Sequence, residues 1–195
     1  MRVVRLYGVS HNLPLAPRRR ADEEVWCLNY HQRYRFTCKR VLGEWTRWFN
    51  LHSPSHMQRT YPEGVAWYRT QTKPIYLQEV DPTIPGSVAF PREAVQRYFG
   101  ANGQPQRYFT CSNAWLMALA ILEGFDRIEL WGHQMQKGAE YAAQRPCFFY
   151  WIEEARRRGI EVIIPPASLG GPDASYGEAG DPTTYTGPLY GYETS

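Results

Sequence analysis

Acid–base and hydrogen-bonding side chains gather where the chain's apolar runs end. Gly8-Val9-Ser10-His11 follows Val3-Val4-Arg5-Leu6-Tyr7, and Asn29 follows Glu24-Val25-Trp26-Cys27-Leu28. His52 closes the run that begins at Thr46, and His133 comes just after Ile128-Glu129-Leu130-Trp131. Glycine followed by a small hydroxyl residue, directly after a first strand, suits a phosphate-facing turn. The full dinucleotide and P-loop glycine patterns are absent, so an ordinary β-turn stays open as a reading. Histidine titrates near pH 6.5 (about, unperturbed), which lets His133, His52 or His11 act as a base or as an anion-binding cation. His31 and His56 read as solvated. Tyr141, Gln144 and Arg145 make a second polar group, with Tyr141 able to donate to a phosphate and Arg145 able to supply charge. Trp45, Trp48 and Trp67 can stack on a base or sugar, although aromatic core packing is the commoner use.

These groups need a scaffold, and the stretch 107–135 specifies its type. Thr110, Ser112 or Asn113 can cap a helix that runs to about Glu123. Its residues Ala114, Trp115, Leu116, Met117, Leu119, Ile121 and Leu122 are apolar almost all round. Such a helix must be buried against something broad, most simply a sheet. Gly124 supplies a left-handed C-terminal stop, and a strand over 128–131 then delivers Gly132, His133 and Gln134 to the carboxyl edge, where open α/β sheets bind ligands.

Further strands are expected at 3–7, 24–28, 46–52, 73–77 and 159–164, with helices at 91–99 and 147–158. Segment 13–20, with two prolines and three arginines, and segment 53–106, rich in Pro, Tyr and Gln, read mainly as connections. Beyond Pro165-Pro166 the composition shifts to Gly, Pro, Asp, Thr and Tyr, so residues 170–195 read as an irregular tail or an ordered lid. Endings at Ser10/His11, Asn29 and His52 predict one shared rim.

Bulk properties narrow the classes. A chain of 195 residues can bury a substantial single core. Net charge is +3, yet residues 1–60 hold 11 basic and 4 acidic side chains while 159–195 hold 5 acidic and no basic ones. A basic N-terminal part suits a phosphate-bearing ligand or nucleic acid. Cys27, Cys38, Cys111 and Cys147 form no C-x-x-C pair, and Cys27 and Cys111 read as buried thiols. No run approaches the ~18–20 apolar residues of a membrane span, and no leader is evident, so a cytoplasmic location is expected. Zincin, Gly-x-Ser-x-Gly, kinase-loop and Asp-x-Asp patterns are missing, and no metal site is expected.

Taken in order, Gly8-x-Ser10, Trp26-Cys27-Leu28-Asn29, Trp48-Phe49-Asn50-Leu51-His52, Thr110-Cys111-Ser112, Leu130-Trp131-Gly132, Glu140-Tyr141 and Gln144 resemble a known layout. It is that of small Rossmann-like proteins, often phage-encoded, grouped with the archaeal hydroxymethylpterin diphosphokinase-like family. It is also similar to the bacterial sialyltransferases that use a CMP-linked sugar. The resemblance covers roughly residues 2–169. It implies phosphates against Gly8 and Ser10, base or ribose at Asn29, Ser112 at a helix N-terminus aimed into the cleft, and Tyr141 on the leaving phosphate. Two departures stand out: His133 replaces the family's aspartate, and no histidine matches the sialyltransferase catalytic one.

The expectation is therefore one α/β, Rossmann-like nucleotide-binding domain over 1–169, with a mostly parallel sheet and helices on both faces, followed by the 170–195 segment. The expected activity is a metal-independent transferase with a nucleotide-activated donor, first a sugar nucleotide, serving as substrate and not as a resident cofactor. His133, His52 and Tyr141 are its catalytic candidates, and Gly8, Ser10, His11, Asn29, Ser112, Gln144 and Arg145 its ligand-binding ones. A non-catalytic nucleotide-sequestering protein, a glycosyltransferase acting on DNA, and a homo-oligomer stay open.

Overall fold

Val3–Tyr7 (β1) is buried at every position, the mark of a central strand covered on both faces. The computed structural model describes residues 1–10, 12–29, 31–135, 139–165, 169 and 180–192. Among these, β1 joins Glu23–Leu28 (β2), Arg47–Phe49 (β3), Ile75–Leu77 (β4), Ser87–Ala89 (β5), Arg127–Trp131 (β6) and Glu161–Ile163 (β7). The order is β5-β4-β3-β2-β1-β6-β7, and every pairing is parallel.

Side-chain alternation divides two cores. Val4, Leu6, Trp26, Leu28, Phe49, Ile128 and Leu130 face one, and Tyr7, Val25, Cys27, Trp48 and Ile75 face the other. His31–Thr37 (α1), Val41–Glu44 (α2), Pro54–Thr60 (α3) and Pro62–Tyr68 (α4) cover the second through Tyr34, Val41, Met57, Val65 and Tyr68. Arg92–Tyr98 (α5), Ser112–Leu122 (α6) and Ala139–Arg157 (α7) cover the first through Val95, Trp115, Phe148 and Trp151. The chain is thus an α/β domain with helices on both faces of one parallel sheet. Helix α6 is buried from Ala114 to Ile121, as its apolar circumference requires. Gly124 ends it at φ +72°, with Phe125 N–H reaching back to the Ala120 carbonyl.

Several local expectations change. The N-cap of α6 is Cys111, which makes no side-chain capping bond. Thr110 instead sends its hydroxyl to the Ala143 carbonyl at 3.2 Å. Helix α7 begins at Ala139 and carries Pro146 inside it, where a start after the proline was expected. Strand β5 and helices α3 and α4 lie in a segment read mainly as a connection, and α1 and α2 lie between residues 31 and 44, where no element was expected. Cys27 and Cys111 are buried, as expected.

Residues 180–192 hold no helix or strand, yet they are tied down. Tyr190 N–H donates to Phe109 O at 2.9 Å, Trp115 Nε1 donates to Tyr190 O at 3.2 Å, and Gln78 Nε2 reaches the carbonyls of Leu51 and Gly191. Among the described residues, no helix is long and apolar enough to cross a membrane.

Candidate functional site

Strands β2 to β5 run outward from one side of β1, and β6 and β7 from the other. The chain therefore reverses its winding between β1 and β6, and loops diverge above that point to leave a crevice. A cleft of about 790 Å³ lies there. It is lined by residues following β1 (Gly8, Ser10), β2 (Asn29), β3 (His52) and β6 (Gly132, His133), by the start of α6, and by Tyr141 and Gln144 of α7. Neighbouring strands lie ~4.8 Å apart, so β3, β2, β1 and β6 together give a floor about 14 Å wide.

The turns after β1 and β6 are built on each other. Gly8 N–H donates to Trp131 O at 2.8 Å and Ser10 N–H to Gly132 O at 2.9 Å. These two amides are thereby used within the fold, and the Ser10 hydroxyl stays in the cleft lining as a polar group for a ligand. Gly132 has φ +77°, and a Cβ there would stand 2.6 Å from Gly8 O. A Gly132→Ala variant is expected to lose at least ~1–2 kcal/mol, the cost of a left-handed backbone for an L-residue, with the clash added. Urea unfolding measures this, and a loss under about 0.5 kcal/mol, the span of an ordinary surface change, would show that the turn gives way freely.

His133 is buried beside that turn. Its Nε2 lies 3.0 Å from Leu6 O, and a carbonyl only accepts, so Nε2 carries the hydrogen. Nδ1 is left without a hydrogen, on the side of the ring near Gly8, where a Cβ added at Gly8 would meet it at 2.9 Å. Burial pushes its pKa down to about 4, outweighing the Leu6 bond. The ring is neutral near pH 7, so the anion-binding cation is the less fitting of its two expected roles.

Asn29 is fixed by its backbone. At φ 51° it is left-handed; its N–H donates to Phe49 O at 2.8 Å, and its carbonyl accepts from Trp48 Nε1 at 2.9 Å and Tyr68 Oη at 2.8 Å. Its Oδ1 has no partner, and the same holds for Ser112 Oγ and Asn113 Oδ1 across the cleft. With no side chain capping α6, the positive end of that helix dipole faces the same space. His52 stacks on His56 at 4.5 Å, and Tyr190 Oη stands 3.5 Å from His52 Nε2.

No family model, curated protein or solved structure matches the chain. The functional reading therefore rests on the cleft itself.

The structure brings Gly8, Ser10, Asn29, His52, Ser112, His133, Tyr141 and Gln144 to one cleft. His11 lies outside the described residues. Arg145 does not line the cleft: Nη2 donates to Leu169 O at 3.3 Å and the guanidinium lies 5.4 Å from the Phe149 ring. Tyr141 and Gln144 share one face of α7 at i, i+3 spacing, and the Leu169 carbonyl and the Phe149 ring hold Arg145 away from the cleft. Trp45 and Trp48 are packed in the second core, with Trp67 against them, and none lines the cleft.

Three lining residues escaped the sequence reading. Arg33, exposed at the cleft wall, is the cation there in place of Arg145. His56 was read as solvated; Ser53-Pro54 signals the start of α3, since Ser53 Oγ accepts from His56 N–H, and that start carries His56 back toward His52. Tyr190 sits in a stretch with no periodicity and gave no signal. Among the described lining residues no carboxylate appears. Among the described residues, no group of three or more His, Cys, Asp or Glu stands together as a metal ligand set.

Proposed function

We propose that the cleft binds the phosphate-bearing part of a nucleotide, on a Rossmann-like fold, and that the protein transfers a group from a nucleotide-activated donor, a sugar nucleotide foremost. The observation that carries this is a pair of unpartnered groups in the cleft lining, Asn29 Oδ1 and Ser112 Oγ, the latter at an uncapped helix N-terminus, with a cation and no carboxylate among the described lining residues. Buried polar atoms without partners are costly in a finished fold, and a ligand that supplies the partner removes that cost. Phosphate oxygens would sit at the α6 N-terminus, near Ser112 and Arg33, where fixed dipoles stabilise departing negative charge without reorganising. Asn29 would accept from base or ribose.

In the transfer step, the acceptor oxygen bonds to the donor carbon as the bond from that carbon to the phosphate oxygen breaks. His52 takes the acceptor's proton. His52 suits this better than His133, because it is half-buried and its Nε2 is within reach of Tyr190 Oη. Tyr141, exposed at the mouth, would donate to the leaving phosphate. A second reading, nucleotide binding without turnover, draws support from His133: a ring titrating near 4 is a poor base at neutral pH.

Calorimetric titration with CMP, UDP and their sugar conjugates tests both. Saturable binding by at least one is expected, weakened roughly 10–100-fold by Ser112→Ala, the range for losing a bond to a charged group. Donor consumption would favour the transferase, and tight binding without consumption across an acceptor panel the second reading. Absence of binding by every nucleotide would end both.

A further inference from the structure

Helix α1 presents two unlike sides. Tyr34, Cys38 and, beyond the helix, Val41 are buried against the second core. On the other side Phe36 is 91% exposed, the most exposed large apolar side chain among the described residues. Arg33, Arg35 and Lys39 are exposed as well. The Cys38 N–H to Tyr34 O bond, 2.8 Å, carries the helical turn past Thr37. Helical spacing makes Arg33 the i−3 neighbour of Phe36, and Lys39 follows in the turn just beyond the helix. Arg35 and Lys39 make no ion pair among the described residues, and α1 contains no acidic residue. Arg33 joins this face to the cleft. Across the cleft mouth the exposed Arg59 of α3 follows His56 at i+3.

A bare aromatic ring costs free energy in water, and here it is flanked by cations in a segment of strong positive charge. Flat ring faces bind the faces of unstacked bases, and flanking cations bind the phosphates between them. One ring offers too little apolar area to enter a bilayer. A duplex keeps its base faces stacked inside and could use only the cations.

We propose that this face of α1 binds single-stranded nucleic acid, with a base on Phe36 and backbone phosphates on Arg33, Arg35 and Lys39. The strand's path continues past Arg33, so a nucleotide of the same strand enters the cleft as the group acceptor. That last use rests on the transferase reading; the binding itself does not.

Fluorescence anisotropy with a labelled oligothymidine of roughly 16 nucleotides, an upper site size for one such module, is the test. Binding is expected to be tighter than to a duplex of equal length and to weaken steeply with salt. Phe36→Ala should weaken it about 10-fold or more. The Arg35→Gln, Lys39→Gln double variant should lower the log–log salt slope by about 1.4, at ~0.7 per phosphate contact on a single strand. Both variants alter exposed side chains, so thermal unfolding and nucleotide titration at the cleft should match the wild type. The proposal is overturned by absence of salt-dependent binding, by equal affinity for duplex, by wild-type affinity in Phe36→Ala, or by binding to anionic vesicles but not to the oligonucleotide. Loss of nucleotide binding with oligonucleotide binding intact would remove the cleft reading and leave this one standing.

Discussion

Replacing Arg5 with methionine is expected to destabilise the fold by about 3–5 kcal/mol, the range for stranding a buried charge without its partner. Arg5 sits in the middle of β1, and its guanidinium bonds Glu23 of β2 at 2.8 Å and Glu129 of β6 at 2.9 Å. All three side chains are 10% exposed or less. Two further donors converge on the same carboxylates, Arg20 N–H on Glu23 at 2.8 Å and Trp131 Nε1 on Glu129 at 3.1 Å. Removing the arginine leaves two carboxylates in a low-dielectric layer with only neutral donors. Because the cluster spans the strands on either side of the winding reversal, Arg5→Met should also loosen the turns that carry Gly8 and Gly132. Chemical denaturation gives the free energy, and hydrogen exchange at the Gly8 and Ser10 amides gives the local effect. The triple variant Arg5→Met, Glu23→Leu, Glu129→Leu separates charge from packing: it should recover most of the loss, since apolar replacement of a whole buried ion cluster is often neutral or better. A single Arg5→Met change costing under about 1 kcal/mol, the worth of an exposed pair, would show that water reaches the carboxylates.

Legibility in the sequence followed the strength of the local physics. Helix α6, apolar on every side and stopped by Gly124, had one reading, and its burial against the sheet follows from it. β1, β2 and β6 were legible because central parallel strands are continuous apolar runs with polar ends, and those ends led directly to Ser10, Asn29 and His133. Strand β5 was not, because Ser87–Ala89 is short, lies at the sheet edge and is only partly buried. Helices α1 to α4 have four to seven residues each, too short for periodicity to outweigh the Pro and Tyr around them. Arg145 was misplaced because a proline suggested a helix boundary, whereas α7 runs through Pro146 and Arg145 meets Leu169 O and the Phe149 ring. Tyr190 depends wholly on tertiary bonds to Phe109 and Trp115, which no local pattern encodes.

Between pH 7 and pH 4 the protein should lose roughly 3 kcal/mol of stability through His133 alone, at ~1.4 kcal/mol per pH unit of displacement. The folded state holds this imidazole neutral, with a pKa of about 4, because burial penalises the charged ring more than the Leu6 carbonyl favours it. An unfolded chain takes up that proton at its ordinary pKa of about 6.5. Below that value the unfolded state binds more protons than the folded one, so stability falls as pH falls, and the loss levels off once the folded ring titrates as well. His133→Gln can keep a donor toward Leu6 O while removing the titration. Its unfolding free energy should therefore follow the wild type's pH dependence with this component removed, all other titrating groups being common to both proteins. Parallel curves would mean that His133 protonates near its ordinary value and that water enters the site. The same neutrality governs ligand behaviour: the His133 contribution to nucleotide affinity should be flat from about pH 6 to 8, ~2 units or more above its pKa of about 4. A tightening on acidification within that window that survives His133→Gln and disappears in His52→Gln would place the charged imidazole at His52, on the β3 side of the cleft.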